Sequence, residues 1–255
     1  MEPLMLTRRS ALVTGAAQGI GLAIARTLAR RGASVGIVDL RGAESTATSL
    51  SSEFPRQQFA GYSVDVRDAE AVSRCISEFV AAFDGIDILV SNAGTAARVG
   101  IDEITAGEWQ RDLDTNLGGT FNFIKAAVHP YMLDAGHGSI VTISSISGIN
   151  GGAVSHGDAG ARSGPAYAAS KGAIIALTKW VAKEYGRQGI RCNSVAPGPV
   201  ESALTAGQAY DTSGQALDRM GTPEEIAEAV AYLASEGAAF TTGQIIRVDG
   251  GAVMS

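Results

Sequence analysis

Thr14-Gly15-Ala16-Ala17-Gln18-Gly19-Ile20-Gly21 joins two patterned stretches of the 255-residue chain. Before it, Ser10–Thr14 is a short apolar run that reads as a buried strand. After it, Gly19–Arg30 sets Ile20, Ala23, Ile24, Thr27 and Leu28 at helical spacing. Glycines at such a turn let the backbone bend tightly and approach a pyrophosphate, whose charge sits well at the positive end of a helix. A glycine cluster alone would signal only a turn. The strand before it and the helix after it make it a nucleotide site, spaced TGxxxGxG rather than GxGxxG.

The same alternation runs outward. Ser34–Asp39, Gln58–Val64, Ile86–Ser91, Gly138–Ser144, Ile190–Val195 and Gln244–Val248 read as further strands, apolar enough to be covered on both faces. Gly42–Glu53, Ala69–Phe83, Ala106–Leu133, Ala166–Arg187 and Glu224–Ala234 read as helices between them, the last started by Thr222-Pro223-Glu224-Glu225. This order predicts an α/β fold, a doubly wound parallel sheet of about seven strands with helices on both faces. No linker or repeat divides residues 1–255, so one domain is expected, with loops at 145–165 and 199–221.

Composition narrows the function. A net charge of −6 argues against nucleic acid or an anionic membrane as partner. No run of 18 apolar residues predicts a membrane span. Met1–Ser10 lacks the apolar core of a secretory signal, and Cys75 and Cys192 read as buried free thiols, so a cytoplasmic location is expected. His129, His137 and His156 have no metal-ligand spacing, and no metal is expected.

Asp39 ends the second strand, 18 residues beyond Gly21. A carboxylate there accepts from adenosine ribose hydroxyls and repels a 2′-phosphate. With Arg41 the only nearby cation, NAD is expected rather than NADP. Asp65-Val66 and Asn92-Ala93-Gly94 close two more strands, at the edge where parallel sheets bind ligands. Tyr167 and Lys171 are four apart and share a helix face, which lets an ammonium act on a phenol. By itself such a pair is an ordinary surface feature.

Taken in order, TGxxxGxG at Thr14–Gly21, Asn92–Gly94, Asn116, Ser144-Ser145, Tyr167–Lys171, Pro197-Gly198 and the ending Thr242-Gly243-Gln244 … Asp249-Gly250-Gly251 resemble the short-chain dehydrogenase/reductase family, in its single-domain Rossmann-type form. The resemblance implies an enzyme that moves hydride between a secondary alcohol and a ketone. It implies a proton donor or acceptor at Tyr167, whose pKa Lys171 lowers while holding the nicotinamide ribose. Ser145 would bind the substrate oxygen, and Asn116 would anchor a water linking Lys171 to solvent. Gly15, Gln18, Gly19, Ile20, Gly21, Asp39, Asp65, Val66, Asn92, Ala93, Gly94, Pro197, Gly198, Val200 and Ser202 match cofactor contacts. A homotetramer is also implied. Ser91 stands where the family often has a second Asn, and Ser202 where Thr is commoner.

The interval from Ser145 to Tyr167, 22 positions, is longer than the family usual, the excess falling within Gly151–Gly164. That segment reads as a surface loop or as a substrate wall offering His156 or Arg162 to a polar or anionic substrate. The expected substrate is a small hydroxylated molecule: a polyol, sugar or cyclic alcohol. The alternatives are a 3-oxoacyl-thioester reductase, against which Asp39 counts because such reductions usually draw on NADPH; a nucleotide-sensing protein without chemistry; and a purely structural subunit. Intact Asn116, Ser145, Tyr167 and Lys171 argue against the sensing protein, and the complete cofactor site argues against the structural subunit.

Overall fold

The computed structural model describes residues 5–152, 163–202, 205–207 and 210–254. Seven parallel strands form one sheet: β1 (Ser10–Thr14), β2 (Ser34–Asp39), β3 (Phe59–Ser63), β4 (Ile88–Ser91), β5 (Gly138–Ile143), β6 (Ile190–Pro197) and β7 (Ile245–Val248). Their spatial order is β3-β2-β1-β4-β5-β6-β7. The chain winds outward from β1 in one direction and from β4 in the other, so the order reverses between these two strands. Such a reversal opens a crevice at the carboxyl edge of the sheet.

The helices are α1 (Gly19–Arg30), α2 (Ala43–Glu53), α3 (Ala69–Phe83), α4 (Ala106–Leu113), α5 (Gly119–Ala127), α6 (Leu133–Ala135), α7 (Ser147–Asn150), α8 (Pro165–Tyr185) and α9 (Pro223–Ala234). They cover both faces of the sheet. Ile24, Leu28 and Val230 from α1 and α9 belong to the core on one face. Phe79, Phe123 and Val181 from α3, α5 and α8 belong to the core on the other. β1, β4 and β5 are buried throughout, whereas the outermost strands β3 and β7 are half-buried, as sheet edges are.

Local chemistry sets the helix starts. Asp68 caps α3 by accepting from the Glu70 and Ala71 amides at 3.0 Å. Thr222 and Glu225 form a reciprocal capping box at the start of α9, as do Thr105 and Glu108 at α4. α1 differs: Gln18 precedes it without a side-chain cap. Its first amides are left to the crevice.

The stretch expected as one helix, Ala106–Leu133, is interrupted twice. A π-turn spans Asp114–Gly118 between α4 and α5. A second spans Val128–Met132 and contains the cis His129–Pro130 bond. Within 145–165 a short helix, α7, follows Ser145. In 199–221 the described residues form turns and an isolated bridge between Val200 and Gly221, without a helix. None of the helices among the described residues is long and apolar enough to cross a membrane.

Candidate active site

The residues singled out by sequence gather along the carboxyl edge of the sheet, around two adjoining cavities. One, about 400 Å³, is bordered by Gly15, Gln18, Gly19, Ile20, Gly21, Asp39, Asp65, Val66, Asn92, Ala93 and Gly94 among others. The other, about 340 Å³, is bordered by Ser145, Tyr167, Lys171, Pro197, Gly198 and Val200 among others. Ile20, Asn92, Gly94 and Ser202 border both.

The first cavity is shaped by close backbone approach. A Cβ on Gly21 would run into the Gly15 carbonyl, and one on Gly15 would lie 2.8 Å from Ala93 Cα. Gly15 also takes φ +63°, a conformation that favours glycine. Asn92 clamps the turn: its Nδ2 donates to the Thr14 and Gly15 carbonyls at 2.9 and 3.1 Å. The amides of Asn92 and Ala93 both donate to Thr14 Oγ1 at 3.0 Å. Asp39 Oδ2 accepts from the Ala17 amide at 3.0 Å, which sets the carboxylate beside the glycine turn. The uncapped amides of α1, the tight glycine cradle and this carboxylate fit a dinucleotide, with pyrophosphate at the helix end and ribose at Asp39.

Sequence reasoning missed two groups here, Arg67 and Arg111, which border the same cavity. Arg67 pairs with Asp65 and holds its carboxyl below the usual range. Arg111 pairs with Asp112 at 3.0 Å. Arg67 stands two residues past Asp65, a signal that could have been read. Nothing local marks Arg111.

In the second cavity, the candidate groups come from the end of β5 and from α8. Ser144 and Ser145 follow β5, and their hydroxyls diverge. Ser144 Oγ donates to the Val195 carbonyl at 3.2 Å and accepts from Ser194 Oγ at 2.8 Å, which ties it to β6. Ser145 Oγ accepts from the Ser147 amide at 3.1 Å and acts on Tyr167. Lys171 Nζ lies 5.5 Å from the centre of the Tyr167 ring and donates to the Ile143 carbonyl at 2.7 Å.

Burial pushes the Tyr167 phenol above its ordinary pKa, outweighing the downward pull of Ser145 and the Arg98 guanidinium. Burial also drives Lys171 down to about 8. Desolvation is the largest effect on both groups.

Asn116 lies in the π-turn and is fully buried. Its Oδ1 accepts from the Thr95 amide at 2.8 Å, and its Nδ2 donates to the Thr95 carbonyl and to Ser170 Oγ, both at 2.9 Å. Ser170 Oγ in turn donates to the Tyr167 carbonyl at 2.8 Å. Asn116 thus links the loop after β4 to the helix that carries Tyr167 and Lys171. A Cβ on Gly94 would lie 3.1 Å from Asn116 Oδ1 and 3.6 Å from Lys171 Nζ, so the three converge.

His156 and Arg162 lie outside the described residues. The flanks of their segment, Gly152 and Ser163, border the second cavity. Cys75 and Cys192 are buried free thiols away from the site.

A family model described as enoyl-(acyl carrier protein) reductase matches residues 15–253. The 3-oxoacyl-(acyl-carrier-protein) reductase FabG of Chlamydia trachomatis serovar D is 37% identical over 255 residues, 97% of this chain and 98% of that protein. The chain belongs to the short-chain dehydrogenase/reductase family. The cis-4-hydroxycyclohexanecarboxylate dehydrogenase of Sinomonas cyclohexanicum is another similar member, 39% identical over 250 residues, 95% of this chain and 96% of that one. The crystal structure of a short-chain type dehydrogenase/reductase from Mycobacterium marinum superposes with a TM-score of 0.90 at 31% identity, covering 100% of this chain and 99% of its own. As a short-chain dehydrogenase/reductase, the protein is an oxidoreductase acting on CH–OH groups.

Proposed function

We propose that this protein is an NAD-dependent dehydrogenase that interconverts a secondary alcohol and a ketone on a small hydroxylated molecule, a polyol, sugar or cyclic alcohol. The observation that carries the reading is the meeting of Ser145, Tyr167 and Lys171 in a cavity that shares Ile20, Asn92, Gly94 and Ser202 with the glycine cradle. Bound across both, the dinucleotide supplies the hydride acceptor. Tyr167 takes the carbinol proton as the carbonyl forms and returns it in the reverse direction. Ser145 donates to the substrate oxygen and steadies its developing charge. Lys171 holds the nicotinamide ribose hydroxyls and stabilises the phenolate. Asn116 keeps the two walls in register and anchors the route from Lys171 to solvent. Val200 and Ser202 seat the carboxamide.

Asp39 is the basis for NAD over NADP. Arg67 and Arg111 are each paired with a carboxylate, which leaves the Asp39 charge to act on the ribose. Asp39→Ser is expected to narrow the ratio of kcat/KM for NAD over NADP by about tenfold, the equivalent of ~1.4 kcal/mol of repulsion. A wild-type preference for NADP in paired kinetics would contradict this reading.

A second reading, reduction of a 3-oxoacyl thioester, is favoured by the similarity to the Chlamydia trachomatis reductase. One experiment separates them: cofactor absorbance recorded with polyols, hydroxy acids, sterols and cyclic alcohols plus NAD, and with 3-oxoacyl thioesters plus NADPH. Alcohol-dependent NAD reduction supports the first reading. Activity confined to thioesters and NADPH supports the second.

We assign the chain to the cytoplasm, as one NAD-binding unit assembled into a homotetramer. Phe121 on α5 and Trp180 on α8 are 49% and 57% exposed, apolar surface that helix-to-helix contact between copies would cover. A monomer by sedimentation at micromolar concentration would contradict the assembly.

A further inference from the structure

α4 is seated on the fold by a charge. Asp112 is the one buried residue of this helix, and it is fully buried. A carboxylate leaves water at a cost that only close partners offset, so an apolar side chain would seat the helix with less penalty. Both of its oxygens are engaged. Oδ2 accepts from the Ala97 amide at 2.8 Å, and Oδ1 accepts from Arg111 Nη2 at 3.0 Å and from Arg111 Nε at 3.3 Å.

Ala97 lies in the loop after β4, which no sequence motif covers beyond Gly94. Two residues earlier, Asn116 grips both backbone groups of Thr95. Thr95 and Ala97 are thus fastened from beneath, while Gly94, Ala96 and Arg98 border the Ser145–Tyr167 cavity and form one of its walls. This is the alternation of an extended chain, with two buried side chains standing where a neighbouring strand would be. Arg111, the other partner of Asp112, is 42% exposed and borders the glycine-cradle cavity. Gly94 and Thr95 border the cradle as well, whereas Ala97 borders neither cavity. Its amide reaches the rim of the cradle through Asp112 and Arg111.

We propose that Asp112 is a positioning residue that transmits filling of the dinucleotide cavity to the substrate wall. Once Arg111 is held by a bound dinucleotide, the carboxylate is held too, and with it the Ala97 amide and the wall on either side. The proposal rests on the reading of the glycine cradle as a dinucleotide site. Coupling between sites is carried by contiguous contacts, and here the chain has three links: guanidinium, carboxylate and amide.

Amide hydrogen exchange tests this, because it reads local opening. It is resolved by residue on the full chain, with and without saturating NAD, or NADP should titration favour it. In wild type the dinucleotide is expected to slow exchange at Ala97 on the order of tenfold, within the usual range for coupled sites. Thr95 should slow as well, by direct cover, and serves as the internal control. Asp112→Asn is the informative variant: its side-chain oxygen still accepts from the Ala97 amide, but it carries no charge for the guanidinium. The slowing at Ala97 should vanish while that at Thr95 stays. Arg111→Ala, which leaves Asp112 and its bond to Ala97 in place, should do the same, and Arg111→Lys should restore part of the effect. Fluorescence titration with NADH and NADPH shows whether each protein binds the cofactor. A wild-type Ala97 amide indifferent to bound dinucleotide overturns the proposal, as does slowing that survives both variants or a loss shared equally by Thr95. A wild type that binds neither NADH nor NADPH overturns the dinucleotide reading itself, and the proposal with it.

Discussion

Tyr167→Phe is expected to lower kcat by at least about 10²–10⁴-fold, the contribution of a positioned acid–base group, with the NAD dissociation constant changed by no more than a few fold. The substitution removes one oxygen. The ring stays under Lys171, whose Nζ keeps its bond to the Ile143 carbonyl, and the glycine cradle is held independently by Asn92 and Thr14. Phenylalanine can neither take nor return the carbinol proton. Steady-state kinetics beside a fluorescence titration of NAD separate the two effects. A Phe variant that turns over near the wild-type rate would remove Tyr167 from the mechanism.

Lys171→Met should cost turnover on a similar scale, about 10²-fold or more, and at the same time relieve a strain on the fold. The side chain is 4% exposed, and burial brings its pKa from the ordinary lysine value down to about 8. Where the folded value lies below the unfolded one, the unfolded chain binds the extra proton, so wild-type stability rises with pH across that window. The span from about 8 to the ordinary value near 10.5 corresponds to roughly 3 kcal/mol, at ~1.4 kcal/mol per unit. Methionine carries no such penalty but leaves the Ile143 carbonyl without its donor, a loss of about 1–3 kcal/mol at every pH. The variant should therefore compare best with wild type below pH 8 and fall behind progressively towards pH 10.5. Urea unfolding of both proteins from pH 6 to 10.5 measures this. Parallel curves would mean that the buried lysine keeps its ordinary pKa on folding.

The limits of β1, α1, β2 and α3 are legible in the sequence because each couples a clear period to a local end signal: the glycine turn before α1, the Asp68 cap before α3. The edge strands β3 and β7 shrink by a residue at one or both ends, and the buried central strand β4 starts at Ile88, two residues later than the apolar run suggests. Tyr167 and Lys171 are legible because four residues on one helix fix their geometry. The Arg98 wall is not. Asp112 reads as one more acid on an amphipathic helix, yet it is fully buried under a loop 15 residues earlier. Arg98 and Tyr210 meet across 112 positions. Such contacts are products of tertiary packing and leave no period in the chain. The order of the Tyr167 and Lys171 titrations is hidden for the same reason, because desolvation depends on what encloses a group rather than on its neighbours in sequence.

The π-turn at Asp114–Gly118 bears on how gaps in related chains should be read. A wide turn is one residue more than an ordinary helix holds, absorbed locally while the helix continues beyond it. Deleting Thr115 would close it to an α-turn. α4 could still lie against α8 and α5 against α3, as they do now. Asn116, however, would swing by about 100° around the axis, away from Thr95 and Ser170. A one-residue gap at this point, easily dismissed as a difference in helix length, would therefore mark a homologue that has kept the fold and released the substrate wall.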